Sequence, residues 1–268
     1  MSGIIGIIAA LATVVLGSLA DGDPLSALFS LTAAIIVFGG TCASLVTQFG
    51  FGKLLAGLRC CMWLVKPPHV DLPEFIEQLA GWSNIARSQG VLALESALEG
   101  VADPFQRKGL QMIIDNTSPE DMLPTLGMIA ENAAHEDAIG GEIWEVAAGY
   151  APTIGVMGAV LGLIHVMTRL DHPEELGAGI ATAFVATIYG VGSANLIFMP
   201  LGTRLASIAK LLEREREIVI QGFVLMAEGK PGILIRQTLK SLIVEKKTKA
   251  KAAGDDAAAE AELAAGAA

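Results

Sequence analysis

The sequence predicts an all-α integral membrane protein with four transmembrane helices and a large helical cytoplasmic insertion between the second and third. Three observations predict it. Of 268 residues, 53% are hydrophobic and only 17% charged, where a soluble domain carries about a quarter charged residues. The apolar excess is gathered into four runs that hold no Asp, Glu, Lys or Arg. Outside those runs, apolar residues recur at helical spacing and period-two alternation is nearly absent.

A bilayer core about 30 Å thick needs about 20 mostly apolar residues to cross it. Gly3 to Ala20 is the first such run and Pro24 to Phe51 the second, joined by the acidic turn Asp21-Gly22-Asp23. Val146 to Met167 is the third and Leu176 to Thr203 the fourth, joined by residues 168–175. The first run begins almost at Met1 with no basic segment before it, so it reads as a retained span and not a cleaved signal.

Between the two hairpins, Asp71 is placed to cap a helix with Pro73 and Glu74 in its early turn, and Phe75, Leu79 and Trp82 follow at helical spacing. Gly90 interrupts. Val91, Leu94 and Leu98 mark a further apolar face, and Pro104 opens a helix with Leu110, Ile113 and Ile114. Ser118-Pro119-Glu120-Asp121 is a helix start: a capping Ser, Pro at the first helical position and an acid at the third. Met122, Leu126, Ile129 and Ala133 continue its apolar face, and Gly140-Gly141 is positioned to punctuate it before the third span. The chain then divides into a transmembrane hairpin at 1–51, a cytoplasmic helical domain at 52–145, a second hairpin at 146–203, a cytoplasmic helical region at 204–245 and a disordered Lys- then Ala/Asp/Glu-rich tail at 246–268.

Orientation follows from basic residues near the span ends. Lys53, Arg59 and Lys66 follow the second span, and Arg204, Lys210, Arg214 and Arg216 follow the fourth, while the two short loops hold only Arg169. The middle segment and both termini are therefore expected in the cytoplasm. A net charge of −10 argues against nucleic-acid binding. Cys42, Cys60 and Cys61 are spaced for neither a disulfide framework nor a zinc site. No nucleophile–base set or metal cluster is visible, so no enzyme activity and no cofactor are expected.

Ionisable groups at membrane depth are the usual mark of an ion relay. Here the spans hold no acid, and His165 is their sole titratable candidate. Any ion-binding carboxylate must come from a partner. Gly155, Gly158 and Gly162 in the third span, and Ala183, Thr187, Gly190 and Ala194 in the fourth, form small-residue stripes at helical spacing. Such stripes serve equally for packing inside one chain or for a partner's helix. Pro152 and Pro200 each remove an amide donor near the inner end of a span.

Several motifs, in this order and spacing, resemble the MotA/PomA stator subunits of bacterial flagellar motors. They are Gly39-Gly40-Thr41, Ala86-Arg87 with Gly90 and Glu95, Tyr150 to Gly155, Gly158 to Gly162, Ala186 to Gly190, Ala194-Asn195 and Phe198-Met199-Pro200. The resemblance covers about residues 1–240. It implies a homopentamer in the bacterial inner membrane, surrounding the helices of a B-type (MotB/PomB-like) subunit. That subunit supplies the ion-binding aspartate, and the A subunits push the rotor protein FliG. Carried over by position, Arg87 and Glu95 become rotor-facing charges, Pro152 and Pro200 coupling prolines, and Thr187 a residue facing the B helix. Ser88 departs from members with a second basic residue there. Sodium-driven members tend to carry Thr where Ala159 stands, so the transported ion is expected to be H+ ahead of Na+. The alternatives are a subunit of the related ExbB/TolQ class, which generally has three spans, or another ion-driven motor built on the same ring.

Overall fold

The computed structural model describes residues 2–20, 28–68, 71–168, 170–171 and 173–243. Among them all regular structure is helical. The order is α1 (Ser2–Ala20), α2 (Leu31–Ala34), a π-turn (Ile35–Gly39), α3 (Gly40–Cys60), a 3-10 turn (Cys61–Leu64), α4 (Leu72–Gln89), a 3-10 turn (Val91–Leu94), α5 (Glu95–Leu98), α6 (Pro104–Ile114), α7 (Pro119–Met167), α8 (Pro173–Ser193), a second π-turn (Ala194–Phe198) and α9 (Met199–Ala227). Residues 232–243 form α10.

Among the described residues three helical stretches are long and apolar enough to cross a membrane: Leu31–Leu64, Pro119–Met167 and Gly179–Ala227. The third expected span lies wholly within the second of these, and the second and fourth expected spans overlap the other two from Leu31 and from Gly179. The first expected span is helix α1, whose apolar stretch Ile5–Ala20 is shorter. The turn at 21–23, Arg169, His172 and the tail at 246–268 lie outside the described residues.

Two boundaries differ from the sequence reading. Gly140-Gly141 does not punctuate α7, which runs unbroken through both glycines into the third span. The pair serves close packing: a Cβ on Gly141 would lie 2.9 Å from the Ala206 amide nitrogen, and one on Gly140 2.7 Å from Cys60 Cβ. The second span does not end as a helix at Phe51. Its backbone breaks at Gly50 (φ 74°, ψ 163°), a conformation glycine tolerates, and the helix then resumes to Cys60.

The chain forms two compact units. The first comprises Met1–Pro68 and Ala134–Leu211. Its helices meet through small contacts: Leu45, Ile143 and Ala147 in one cluster, Ala33, Val37, Val185 and Ala186 in another. Its large side chains face outward, among them Ile35, Val156, Val160, Ile164 and Phe184. That is the reverse of a water-soluble core and fits a lipid or helix-partner environment.

The second unit, His69–Ala133 and Leu212–Ala268, has an ordinary apolar core. Phe75 and Leu79 of α4, Leu110 of α6, Met122 and Leu126 of α7, Phe223 of α9, and Ile235 and Leu239 of α10 are buried together. The local start signals act as the sequence implies. The Asp71 carboxylate accepts from the Glu74 amide at 3.1 Å. Asp103 accepts from Phe105 and Gln106 at 2.7 and 2.9 Å, and Ser118 from Asp121 at 3.2 Å. Each satisfies amides that a helix N-terminus leaves without internal partners.

The rim of this unit is tied by Glu77. Arg236 Nη2 lies 2.6 Å from Glu77 Oε2, and Lys240 Nζ lies 3.2 Å from Oε1. The hydrogen bonds from Arg236, and then Lys240, hold the Glu77 carboxyl below its ordinary value. A lowered folded value contributes stability above the unfolded carboxylate range and loses it as pH falls through the folded value. Glu77→Gln should therefore lower the melting temperature at neutral pH by a small amount, since the pair is solvent-exposed. The gap to wild type should close as pH falls below about 4. Melting curves of the two proteins across pH check this.

Candidate functional site

The small residues of α7 and α8 fix how closely the two helices approach. A Cβ on Gly155 would lie 2.9 Å from the Ala186 carbonyl oxygen and 3.0 Å from Gly190 Cα. One on Gly190 would lie 2.6 Å from the Ala151 oxygen, and one on Gly162 3.0 Å from Ala183 Cβ. One on Gly158 would lie 3.1 Å from Ala186 Cβ and 3.3 Å from Ile36 Cγ2 of the first π-turn. Helices meet this closely only where side chains are missing. The glycine stripe is thus committed to packing within the chain.

Ala159 and Thr187 sit one position beyond Gly158 and Ala186, at the edge of this seam, and both are half-buried. The Thr187 hydroxyl points its donor at the Ala183 carbonyl, 3.4 Å away, which leaves its lone pairs free to accept. Beside the seam, Val156, Met157, Val160, Phe184 and Ile188 are exposed. No group of three or more His, Cys, Asp or Glu able to hold a metal occurs among the described residues.

The two prolines are accommodated differently. Pro152 stands in uninterrupted α7, and the Thr153 hydroxyl donates to the Tyr150 carbonyl at 2.8 Å. Pro200 is exposed and follows the second π-turn, where the Met199 amide reaches back to Ala194. A proline ring crowds the carbonyl four residues before it, and a widened turn there relieves the crowding.

Two tyrosines hold the second span in place. Tyr189 donates its hydroxyl to the Leu28 carbonyl at 2.7 Å, accepts from the Ser30 amide at 3.3 Å, and rests its ring 5.8 Å from that of Phe38. Tyr150 donates to Gln48 Oε1 at 2.8 Å. Along the sequence both tyrosines stand out only as parts of motifs. The available signal was the hydroxyl of each in an apolar helix, which must find an acceptor.

In the second unit, Arg87 lies in the last turn of α4 and Glu95 opens α5. Gly90 (φ 89°) ends α4, and fully buried Leu94 pins the intervening turn to the core, so that both charges are exposed. Among the described residues neither carries an ion pair. Arg87 also borders a small cleft with Ser83, Ala86, Val91, Thr117 and Met226. Ser88, the neutral departure, donates its hydroxyl to the Asn84 carbonyl at 2.9 Å.

Comparison with known proteins decides the family. Residues 97–218 match the MotA/TolQ/ExbB proton channel family. Over 239 residues the chain is 32% identical to motility protein A of Bacillus subtilis, covering 89% of this chain and 88% of that protein. The chain belongs to the motility protein A family.

Solved structures agree. The fold matches a C. jejuni MotAB structure with a TM-score of 0.81 at 28% identity, covering 90% of this chain and 94% of that one. It matches the flagellar MotAB stator complex of Bacillus subtilis with a TM-score of 0.79 at 32% identity, covering 88% and 93%. The chain is a flagellar stator subunit of the motility protein A type, and a membrane protein.

In this motility protein A family member, enlarging the seam tests its tightness. Gly190→Val forces its side chain onto the Ala151 backbone and should cost about 1–3 kcal/mol through overpacking. Gly149→Ala, on the same helix pair with open space around it, should be neutral or slightly stabilising, by about 0.5–1 kcal/mol. Thermal unfolding of the detergent-solubilised variants separates the two; equal melting would show that the helices can part without cost.

Proposed function

We propose that this stator subunit forms an ion path with a single-span B-type partner, and that ion flow moves the cytoplasmic unit against the rotor protein FliG. The observation that carries this reading is the lack of any carboxylate in the expected spans. A chain that is to conduct protons or sodium without one needs a partner's acid at membrane depth. The solved relatives are named as MotAB complexes, which supports a partner of that kind. Ala159 and Thr187, at the edge of the seam, face the partner helix and the ion path. Pro152 and Pro200 couple that path to the cytoplasmic unit. No cofactor is needed beyond the transported ion.

In this reading α1 is the fourth span. Its length and uniform apolarity suit a crossing with some snorkelling at the ends. The basic residues Lys53, Arg59, Lys66, Arg204 and Lys210 place both termini and the middle segment on the cytoplasmic side of the inner membrane. The exposed apolar side chains beside the seam are covered by lipid, by the partner helix and by neighbouring copies in a homopentamer. Arg87 and Glu95, exposed on one short stretch around a pinned turn, are the rotor contacts.

Charge reversal tests the rotor contact. Arg87→Glu or Glu95→Lys should each lower tethered-cell rotation by roughly two- to tenfold while the subunit still assembles at motors, because surface charges steer contact more than they tighten it. Arg87 also lies favourably at a helix C-terminus, where a cation contributes about 0.3–1 kcal/mol, so unfolding is measured in parallel. Normal swimming by the double reversal with native FliG would remove the rotor role.

The ion is tested separately. With Ala159 the path offers one hydroxyl, from Thr187, where sodium-driven members tend to have two. Stripping water from Na+ is costly unless oxygens replace it. Rotation speed at fixed pH should therefore be nearly unchanged when external sodium is replaced by potassium. Arrest without sodium and recovery on its return would make Na+ the coupling ion.

A further inference from the structure

Beyond the Gly50 break, the helix exposes a second apolar face that the stator reading leaves unused. Phe51, Leu55, Leu58, Met62 and Val65 are 79%, 55%, 50%, 71% and 63% exposed. Their spacing of 4, 3, 4 and 3 residues sets them in one stripe along the helix. The opposite side is packed: Gly57 against Ile143, and buried Leu64 against Leu201 and Leu205. The stripe therefore belongs to a helix whose inner face is already satisfied.

The charge around it has one sign. Lys53, Arg59 and Lys66 lie within the segment, and no Asp or Glu occurs anywhere between Asp23 and Asp71, in a chain whose net charge is −10. Arg59 follows the stripe residue Leu58 by one position and so lies along the edge of the apolar face, Lys66 lies just past the 3-10 turn Cys61–Leu64, and Lys53, two positions after Phe51, turns toward the opposite side. Half-buried Trp63 lies nearby in the sequence, a side chain enriched at membrane–water boundaries.

The break fixes the depth. Exposed non-helical backbone is not tolerated in hydrocarbon, because its amides and carbonyls have no partners there. Gly50 is both non-helical and exposed, so it marks the edge of the bilayer core. From Leu31 to Phe49 the helix rises about 28 Å at 1.5 Å per residue, close to the core thickness of about 30 Å. The stripe begins one residue later, at Phe51.

We infer that the helical stretch from Phe51 to Leu64 lies at the membrane interface and docks on anionic phospholipid. The apolar stripe enters the headgroup–acyl boundary, and Arg59, beside it, and Lys66, just past the helix, contact headgroup phosphates. The inference rests on the membrane-spanning, cytoplasm-inside reading proposed above.

The experiment uses the intact stator complex, this chain with its B-type partner, reconstituted in liposomes. Spin-labelled phosphatidylglycerol and phosphatidylcholine are added in turn, and the motionally restricted fraction of each is read by electron paramagnetic resonance. The wild type should prefer phosphatidylglycerol several-fold. Arg59→Gln/Lys66→Gln should bring the ratio toward one. Arg59→Lys/Lys66→Arg should keep the preference. An unchanged preference in the double Gln variant overturns the inference. So does a change in the mass of the complex, without a change in lipid restriction, in Leu55→Gln/Leu58→Gln, which would assign the stripe to a contact between copies. Absence of restricted lipid of either kind from the wild-type complex would remove the membrane-spanning reading itself.

Discussion

The near-contact of α7 and α8 backbones at Gly155, Ala186 and Gly190 is the constraint on which the membrane unit depends. In lipid, helices gain nothing from burying apolar surface, since the surroundings are equally apolar. Association must come from close van der Waals contact, and that requires side chains to be absent along one stripe. The same rule recurs where Gly40 meets Ile154, Gly57 meets Ile143 and Gly202 meets Glu145. Large residues are thereby pushed to the outer faces, where they are free to meet lipid or another helix.

The other unit is organised by the opposite rule. There Phe75, Leu110, Met122, Phe223 and Leu239 lose contact with water on folding. Each such side chain contributes about 1.5–3 kcal/mol. Its polar features are those of any small soluble helical domain: capped helix starts, a glycine at φ 72° at position 229, and an exposed ion pair at the rim. One chain therefore carries two solvent regimes: an Ala-for-Leu exchange on the outward face of the first, as at Leu161 or Leu163, changes a surface, whereas at Leu110 or Leu239 of the second it opens a hole.

Much of this was legible in the sequence because the signals are local. Ser118, Asp71 and Pro104 sit where helices start, and the face Met122–Leu126 is buried as its spacing implies. What was not legible depended on contacts distant in sequence. Gly140-Gly141 has the composition of a breaker, yet Cys60 of α3 beside Gly140 and the α9 backbone beside Gly141 require both to be bare, and the helix continues. Tyr189 meets Leu28 across 161 residues, and no pattern along the chain announces it. The small-residue stripes left two roles open, and only the Gly155–Ala186 and Gly162–Ala183 contacts assign the glycines to packing. Arg87 and Glu95 are ordinary exposed charges on physical grounds, and their interest came from the resemblance alone.

The widened turn at Ala194–Phe198 holds one residue more than an α-helical turn would. It absorbs that residue without turning the helix beyond it, so Leu201 and Leu205 keep the phase that packs them on Leu64. Losing a single residue inside the widened turn would close it to regular winding and leave that contact in place. Losing one from the regular winding just after it would instead turn the rest of the helix by about 100° and carry Leu201 and Leu205 off Leu64. The widened turn is thus the place in this helix where a one-codon deletion is a shortening and not a rotation.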